Sequence, residues 1–247
     1  MATKIFYFSA TGNCLEIAQA IGGELLSIPE LFKKDNFNFS ADKIGFVFPC
    51  YALSVPKIVE EFLNKVTLKA DYIFAVMTYG EHAGGGLNHF QQIANKNKIP
   101  LYYCEQIKMV DNYIPFFDIQ KQINNLPQKK VAEHKEKIVN EISNNTVFCR
   151  KINLIKNIFS LLPRTFYKLF DNGKFDKKFS VDENCNLCGL CANICPVNNI
   201  KVDSQVNFKH RCITCLACTH RCPQNAIRVK GEKSKTRFVN GAINNKI

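Results

Sequence analysis

Eight of the twelve cysteines form two copies of one pattern, in which four cysteines are separated by two, two and three residues and a proline follows. The first run is Cys185, Cys188, Cys191 and Cys195, and the second is Cys212, Cys215, Cys218 and Cys222. Such closely spaced thiolates suit a compact inorganic cluster in which each iron needs one terminal sulfur. The spacing therefore predicts two [4Fe-4S] clusters, and so a chain that handles electrons.

The expected ligand sets cross between the two runs, because the fourth cysteine of each run with this spacing binds the other cluster. The first cysteine set is Cys185, Cys188, Cys191 and Cys222, and the second cysteine set is Cys195, Cys212, Cys215 and Cys218. A disulfide framework needs an oxidising compartment, and residues 1–20 show no secretory leader. Zinc sites usually separate two ligand pairs by a longer loop, whereas here the third cysteine follows at once. We therefore favour clusters over both alternatives.

The two runs belong to a duplicated unit. When the sequence is aligned with itself so that Cys185 matches Cys212, all four cysteines, the following prolines and the segments CPVNNIKV and CPQNAIRV superpose. This repeat alignment predicts a small α+β domain of pseudo-twofold form, with short strands beside the ligand loops.

The first 149 residues alternate between strand-like and helix-like stretches. Apolar runs predict strands over 3–8, 43–48, 72–78 and within 99–109, and apolar spacing of 3.6 residues predicts helices over 13–21, 56–66, 85–95 and 128–142. Such alternation is typical of a doubly wound parallel sheet, for which we expect five strands and ligands at their carboxyl ends.

Loop 1 (residues 9–13) joins the first predicted strand to a helix. Its small residues let the backbone wrap an oxyanion, and the helix dipole favours negative charge there. The expected phosphate-binding residues are Ser9, Ala10, Thr11, Gly12, Asn13 and the following Cys14, with the Ser9, Thr11 and Asn13 side chains as donors. The loop matches neither GxxxxGK[ST] nor GxGxxG, which argues against a nucleoside triphosphate or a dinucleotide.

Loop 2 (residues 49–55) and loop 3 (residues 79–86) follow the next two strands and each carry a tyrosine. Taken alone, each tyrosine is better interpreted as an ordinary packed side chain than as a residue that stacks on a flavin. Beside a phosphate loop, however, the two loops form a plausible cradle for FMN. The expected flavin contacts are Pro49, Tyr51, Ala52, Leu53, Thr78, Tyr79, Gly80 and Gly85.

Several segments resemble one known family. FYFSATGN resembles the flavodoxin phosphate loop, and FPCYALSVPKIVEEFL resembles the flavin loop and the helix after it. With MVDNYIPFFD, KKFSVDENC and HRCITCLACTHRCP, nearly the whole chain resembles the flavodoxin–ferredoxin fusion family of anaerobes, the EFR family "ferrodoxins". The resemblance implies FMN in a flavodoxin-like domain and two [4Fe-4S] clusters in a bacterial ferredoxin-like domain. The chain departs from the family after Tyr51, where the family often has further aromatics and this chain has Ala52, Leu53 and Ser54. It also departs in loop 3, which reads TYGEHAG where the family commonly has TCGGSPG.

The resemblance and the charge pattern together suggest a division of the chain. We expect a flavodoxin-like domain at 1–149, a basic helical linker at 150–178, a ferredoxin-like domain at 179–231 and a basic tail at 232–247. Residues 1–149 hold 15 basic and 15 acidic residues, whereas residues 150–247 hold 18 and 6 and so carry the net charge of +12. Anionic clusters would offset part of that excess, and acidic redox partners could bind the remainder. No nucleic-acid-binding signature and no apolar run long enough to span a membrane are present.

The remaining cysteines have no clear chemistry. Cys14, Cys50, Cys104 and Cys149 lie outside the runs, and without an identifiable histidine partner we interpret them as packed side chains rather than nucleophiles. In the linker, Ile152, Ile155, Phe159 and Leu162 recur at helical spacing. This segment could bind a membrane surface, but packing between the two domains is the favoured interpretation.

These features predict a cytoplasmic electron-transfer protein that exchanges electrons between FMN, two [4Fe-4S] clusters and external redox proteins. The alternative is a flavin-dependent reductase of a quinone or a metal ion, for which a broad cavity lined by His82 or Glu81 would argue. A redox-sensing regulator lacks a nucleic-acid module. No catalytic residue is predicted.

Overall fold

A computed structural model describes residues 2–151 and 172–243. The apolar positions of the predicted linker helix, from Ile152 to Leu162, lie outside the described residues. Up to residue 151 the strands are β1 (Thr3–Tyr7), β2 (Glu24–Ser27), β3 (Asn38–Ser40), β4 (Lys43–Pro49), β5 (Thr67–Lys69), β6 (Tyr72–Tyr79), β7 (Tyr103–Lys108) and β8 (Phe148–Cys149). The α-helices are α1 (Asn13–Ile21), α2 (Ile28–Lys34), α3 (Lys57–Lys65), α4 (Gly86–Lys96), α5 (Ile119–Asn124) and α6 (Val131–Ser143).

Six of these strands form one parallel sheet in the order β2-β1-β4-β6-β7-β8. Its first five strands follow the flavodoxin-like order, which confirms the predicted doubly wound α/β class. Five strands were predicted, and the sixth is the two-residue β8, which pairs with β7 through Tyr103 and Cys104. The short strands β3 and β5 pair with each other apart from this sheet.

Apolar side chains cover both faces of the sheet, as a parallel sheet between helices requires. Phe6, Phe46 and Phe62 belong to the core on one face, and Ile5, Ile17 and Val47 belong to the core on the other. Helix α3 shows how the sequence produces this packing, because its apolar positions Ile58, Val59, Phe62 and Leu63 are all buried. Because β1, β4, β6 and β7 pair in parallel, their carboxyl ends lie along one edge of the sheet.

The cysteine segment (residues 179–231) forms a smaller α+β unit. Its elements are β9 (Phe179–Val181), α7 (Leu190–Asn193), β10 (Ile200–Val202), β11 (Val206–Phe208), α8 (Ala217–His220) and β12 (Ile227–Val229). Strand β12 pairs with β9 and β10 pairs with β11, both antiparallel. The repeat alignment of the cysteine runs also maps α7 onto α8 and β10 onto β12, so the duplication is visible in the fold.

The backbone repeats in the same way. Three pairs of residues matched by the repeat alignment adopt left-handed conformations: Leu187 and Thr214, Gly189 and Leu216, and Asn198 and Asn225. Glycine or asparagine fills three of these six positions, as expected for backbone that most side chains disfavour.

Candidate functional site

A cavity of about 690 Å³ lies between the carboxyl edge of the sheet and the cysteine segment. Its volume falls in the range of roughly 300–1,000 Å³ that is typical of sites for small molecules and cofactors. Twelve of the predicted flavin-binding residues line it: Ser9, Ala10, Thr11, Asn13, Cys14, Pro49, Tyr51, Ala52, Leu53, Thr78, Tyr79 and Gly80. Three loops that are far apart in the sequence therefore meet around one space.

Two residues predicted to contact the cofactor do not line the cavity. Gly85 is instead the residue before the first turn of α4. Gly12 has a φ of +103°, and a Cβ there would lie 2.7 Å from the Cβ of Asn240. The absence of a side chain at Gly12 thus serves the packing of a distant segment, which local sequence patterns could not indicate.

The two hydroxyl oxygens of loop 1 accept hydrogen bonds from within the protein. Ser9 Oγ accepts hydrogen bonds from the backbone N–H groups of Gly12 (3.2 Å) and Leu15 (3.3 Å). Thr11, only 2% exposed, accepts the side-chain amide of Asn112 at its Oγ1. Each hydroxyl oxygen thus acts as an acceptor, and its O–H group can still donate a hydrogen bond.

Asn13 and Cys14 hold the loop in shape. Asn13 Nδ2 donates to the Val110 carbonyl (3.1 Å), so this amide, predicted to bind phosphate, already has a partner within the protein. Cys14 Sγ lies 3.1 Å from Thr78 Oγ1, and burial raises the pKa of this thiol to about 12. A neutral thiol is compatible with a neighbouring phosphate, whereas a thiolate would repel it.

Loop 2 makes a tight turn whose central residues are in the left-handed region. Ala52 has a φ of 46° and Leu53 a φ of 61°, conformations that cost non-glycine residues roughly 1–2 kcal/mol each. The turn closes with two backbone hydrogen bonds of 2.9 Å between Tyr51 and Ser54. Buried Ser54 and His89 anchor it through a 2.8 Å contact between Oγ and Nδ1. Such strained backbone is common where a loop contacts a ligand.

Loop 3 is held against the segment that follows β7. A Cβ on Gly80 would lie 2.1 Å from Asp111 Oδ2, so only glycine fits there. The Asp111 carboxylate accepts the backbone N–H groups of Glu81 (3.0 Å) and Tyr113 (3.1 Å), and burial raises its pKa. A half-buried carboxyl group therefore forms part of the cavity wall.

The residues after β7 extend the site beyond the sequence prediction. Val110, Asp111, Asn112, Tyr113, Phe116 and Phe117 all line the cavity. Tyr113 and Phe116 stack with ring centroids 5.6 Å apart, and Phe116 is 72% exposed. The carboxyl end of a fourth strand was the available signal, since ligands bind at that edge of such sheets.

A broad cavity lined by His82 or Glu81 was expected to argue for the flavin-dependent reductase. His82 lines the cavity, but Glu81 pairs with Lys108 (2.9 Å) and Lys129 (3.3 Å). The hydrogen bond from Lys108 is the main reason that the pKa of Glu81 falls to about 2. Glu81 is therefore ionised near neutral pH and is engaged in holding loop 3.

The structure brings together both predicted cysteine sets. Cys185, Cys188, Cys191 and Cys222 line one small cavity, and Cys195, Cys212, Cys215 and Cys218 line another. In a cluster each cysteine binds a different iron, so the sulfurs need not converge as they would on one ion. Within the described part of the chain, no group of three or more His, Cys, Asp or Glu is arranged around a single ion.

Backbone N–H groups point at the sulfurs in a duplicated pattern. Asn199 N donates to Cys195 Sγ (3.1 Å) and Ala226 N donates to Cys222 Sγ (3.3 Å), two contacts that the repeat alignment places on each other. Such bonds stabilise thiolates and are one means by which proteins tune cluster potentials.

The two sets differ in their access to solvent. Cys188 of the first set is exposed, whereas Cys195, Cys212 and Cys218 of the second set are buried. Burial raises the pKa of Cys215 to about 12, and a bound metal ion would favour the thiolate form of this sulfur. The second set thus lies inside the protein and the first set reaches its surface.

One cysteine joins the two kinds of site. Cys215 lines both the second cysteine cavity and the large cavity, and Thr214 and Leu216 on either side also line the large cavity. Cysteines of both sets, including Cys191, Cys195 and Cys218, pack in one apolar cluster with Ile200 and Ile227. The large cavity, the second set and the first set therefore lie next to one another in that order.

The other cysteines behave as packed side chains. Burial raises the pKa of Cys50 to about 12, and its thiol donates to the Ala83 carbonyl (3.4 Å). Cys104 and Cys149 face each other across β7 and β8 in the core. The hydrogen bond with Cys104 lowers the pKa of Cys149, but Cys149 does not line the large cavity.

Comparison with known protein families finds a match for one segment of the chain. Residues 181–201 match the family described as 4Fe-4S binding domain. That match supports a four-iron cluster. It includes the first cysteine run and stops before the second. No curated protein matches the chain.

Three solved structures resemble parts of the chain. A putative flavoprotein from Bacteroides uniformis ATCC 8492 is 16% identical over 43% of this chain and 90% of its own, with a TM-score of 0.35. The Trp repressor binding protein from Bacillus subtilis is 9% identical over 43% and 83%, with a TM-score of 0.31. An azoreductase from Bacillus anthracis str. Sterne is 10% identical over 57% and 100%, with a TM-score of 0.36. Likenesses this distant carry no argument about ligand or activity.

The class of chemistry follows from the fold and the cysteine run. A flavodoxin-like sheet joined to a 4Fe-4S segment indicates redox chemistry and electron transfer. Among the residues that the structure describes, no helix has the length and apolar character needed to cross a membrane.

Proposed function

We propose that this chain is an electron-transfer protein that carries FMN in the large cavity and a [4Fe-4S] cluster on each cysteine set. The observation that carries the proposal is the position of Cys215, which forms part of both the cavity wall and the second cysteine set. A ligand of one redox centre that contacts the site of another gives electrons a short path through the protein. FMN can supply two electrons and each cluster one.

The residues of loop 1 fit the phosphate group of FMN. Ser9 and Thr11 would donate their hydroxyl protons, and the start of α1 would supply a favourable dipole. Loop 1 contains no lysine or arginine, so hydrogen bonds would provide most of the binding. The ring would lie between loops 2 and 3, with Tyr51 and Tyr79 on its flanks.

The order of the large cavity, the second cysteine set and the first cysteine set suggests a path for electrons through the protein. Electrons would pass from the cavity through the buried second set to the first set, where Cys188 is exposed. We propose that a redox protein docks at that exposed end, and the basic carboxyl-terminal half favours an acidic partner. In this proposal, residues 1–149 bind the flavin and residues 179–231 bind the clusters. We further propose that the protein is cytoplasmic and comes from an anaerobe.

A second candidate function is a reductase of a small substrate at the flavin. His82 lines the cavity, and Phe116 exposes an aromatic ring at its wall. A planar acceptor such as a quinone could stack on that ring. In this alternative the clusters would feed the flavin, and electrons would leave through the cavity rather than at Cys188.

Anaerobic reoxidation separates the two functions. Purified protein is first assayed for about eight irons, about eight sulfides and about one FMN per chain, as the proposed cofactors require. The reduced protein is then mixed with either a protein-sized one-electron acceptor or a soluble quinone. Wild type is compared with Cys222→Ala, which removes a ligand of the first set.

If the chain is a carrier, the reduced wild type should reduce the protein acceptor quickly. In Cys222→Ala this rate should be at least about tenfold lower. Rapid reduction of the quinone at equal rates in both proteins, with slow reduction of the protein acceptor, would instead establish the reductase. Stoichiometric zinc with little sulfide would refute both functions.

A further inference from the structure

The tail (described over residues 232–243) runs from the cysteine segment back to loop 1. Near its start, Lys235 accepts the Asn225 side-chain amide at its carbonyl (3.2 Å), and Arg237 pairs with Glu232 (2.9 Å). Near its end, the backbone N–H of Asn240 donates to the Thr11 carbonyl (2.7 Å). A segment predicted only as a basic tail therefore connects the two parts of the molecule.

The Asn240 side chain binds the start of α1. Its Nδ2 donates to Glu16 Oε2 (2.7 Å) and to Asn13 Oδ1 (3.4 Å), and its Oδ1 accepts the N–H of Ala242 (2.9 Å). The other Glu16 oxygen is held by Lys135 (2.6 Å). One amide thus ties the tail to the residues that follow loop 1.

A second route from the cysteine segment also ends at Thr11. The N–H of Phe238 donates to His220 Nδ1 (3.2 Å), so the ring proton is on Nε2, which donates to the Asn112 carbonyl (2.7 Å). The Asn112 side chain in turn donates to the Thr11 hydroxyl. The carboxyl-terminal half therefore holds both the backbone and the side chain of the residue that we expect to bind phosphate.

Close packing completes this contact. A Cβ on Gly12 would lie 2.7 Å from Asn240 Cβ and 3.0 Å from Ile243 Cγ1. Ile243 is buried although it lies among the last residues described. The tail thus covers loop 1 at Gly12, and neither Gly12 nor the tail lines the cavity.

We propose that the tail sets the phosphate-binding shape of loop 1, with Asn240 as a positioning residue for the FMN phosphate. The inference rests on the proposed FMN site. It makes flavin binding depend on a segment near the opposite end of the sequence, through contacts that do not touch the flavin. The expected consequence is a selective loss of affinity for the phosphate group when the tail contact is weakened.

A comparison of FMN with riboflavin tests this selectivity, because riboflavin has the same ring without the phosphate. Flavin is removed from full-length protein that keeps its clusters, and both affinities are measured by fluorescence quenching. Asn240→Ala should weaken FMN binding about three- to tenfold, the loss of roughly one hydrogen bond, and leave riboflavin binding unchanged. Asn207→Ala is the matched control, since that side chain hydrogen-bonds with Gln205 in the cysteine segment, and it should change neither affinity.

Asn240→Asp gives a second variant of the same size. Its carboxylate would face Glu16, so it should show the same selective loss and a larger one. Cluster absorbance equal to that of wild type shows that the cysteine segment of each variant is folded, and unchanged riboflavin binding shows the same for the α/β part.

The outcomes distinguish this inference from the proposed function. If wild type binds FMN no better than riboflavin, the phosphate site and this inference both fail. If wild type prefers FMN and Asn240→Ala keeps that preference in full, only the inference is overturned. Equal losses for FMN and riboflavin would also overturn it, because they would indicate a general structural role.

Discussion

The cysteine sets and the large cavity are built in different ways. Each cysteine set uses three residues from one short run and a fourth from its duplicate, within residues 185–222. The cavity uses residues that start at Ser9 and end at Leu216. Spacing alone predicted every member of the cysteine sets, whereas in the cavity it predicted loops 1 to 3 but not the residues after β7 or those around Cys215. The contrast also predicts how each should respond to mutation.

The largest expected effect is the loss of one cluster when a crossing cysteine is removed. Cys195→Ala and Cys222→Ala should each lower the iron content from about eight to about four per chain, because each removes one ligand of one four-iron centre. Iron and sulfide assays measure this loss. The remaining centre is identified by the rate at which reduced flavin loses electrons to it.

The two variants should differ in that rate. Cys195 lies in the set that adjoins the cavity, so Cys195→Ala should slow electron transfer from flavin far more than Cys222→Ala. The opposite order would mean that Cys195 and Cys222 each bind the cluster of their own run. The crossed assignment of these two ligands would then be wrong.

An intermediate effect is expected in the cavity. Thr11→Val removes a hydroxyl that would donate to a charged phosphate, a bond worth about 1.5–3 kcal/mol, so FMN affinity should fall roughly ten- to hundredfold. Fluorescence titration measures the affinity, and iron content should stay the same. Thr67→Val, at an exposed position of β5, is the control. Undiminished FMN affinity in Thr11→Val would remove loop 1 from the site.

The smallest effect concerns strain in loop 2. Ala52 has a φ of 46°, so Ala52→Gly should raise the free energy of unfolding of the α/β part by about 0.5–1 kcal/mol. Ala20→Gly, at an exposed position of α1, should lower it by a similar amount, because glycine destabilises a helix. Urea denaturation followed by circular dichroism measures both. A loss of stability in Ala52→Gly would show that the turn is not strained.

Sequence reasoning was most successful where short-range physics dominates. Periodic apolar residues predicted α1, α3, α4 and α6 and the strands β1, β4, β6 and β7, because burial of one face depends on spacing along the chain. It missed β2 and β8, which are short edge strands whose pairing depends on a neighbour. It also left Asp111 and Asn112 without a role, since their partners Gly80 and Thr11 are distant in sequence.

The sequence by itself determined the class of fold and the redox class of chemistry, and it predicted the grouping of eight cysteines into two crossing sets. These conclusions rest on periodicity and on the coordination needs of iron, which are both local properties of the chain. Only the tertiary structure decided that Cys215 lies against the cavity and that Asn240 holds Thr11. Contacts between residues so far apart depend on how all the intervening elements pack. No pattern within a short window encodes that packing.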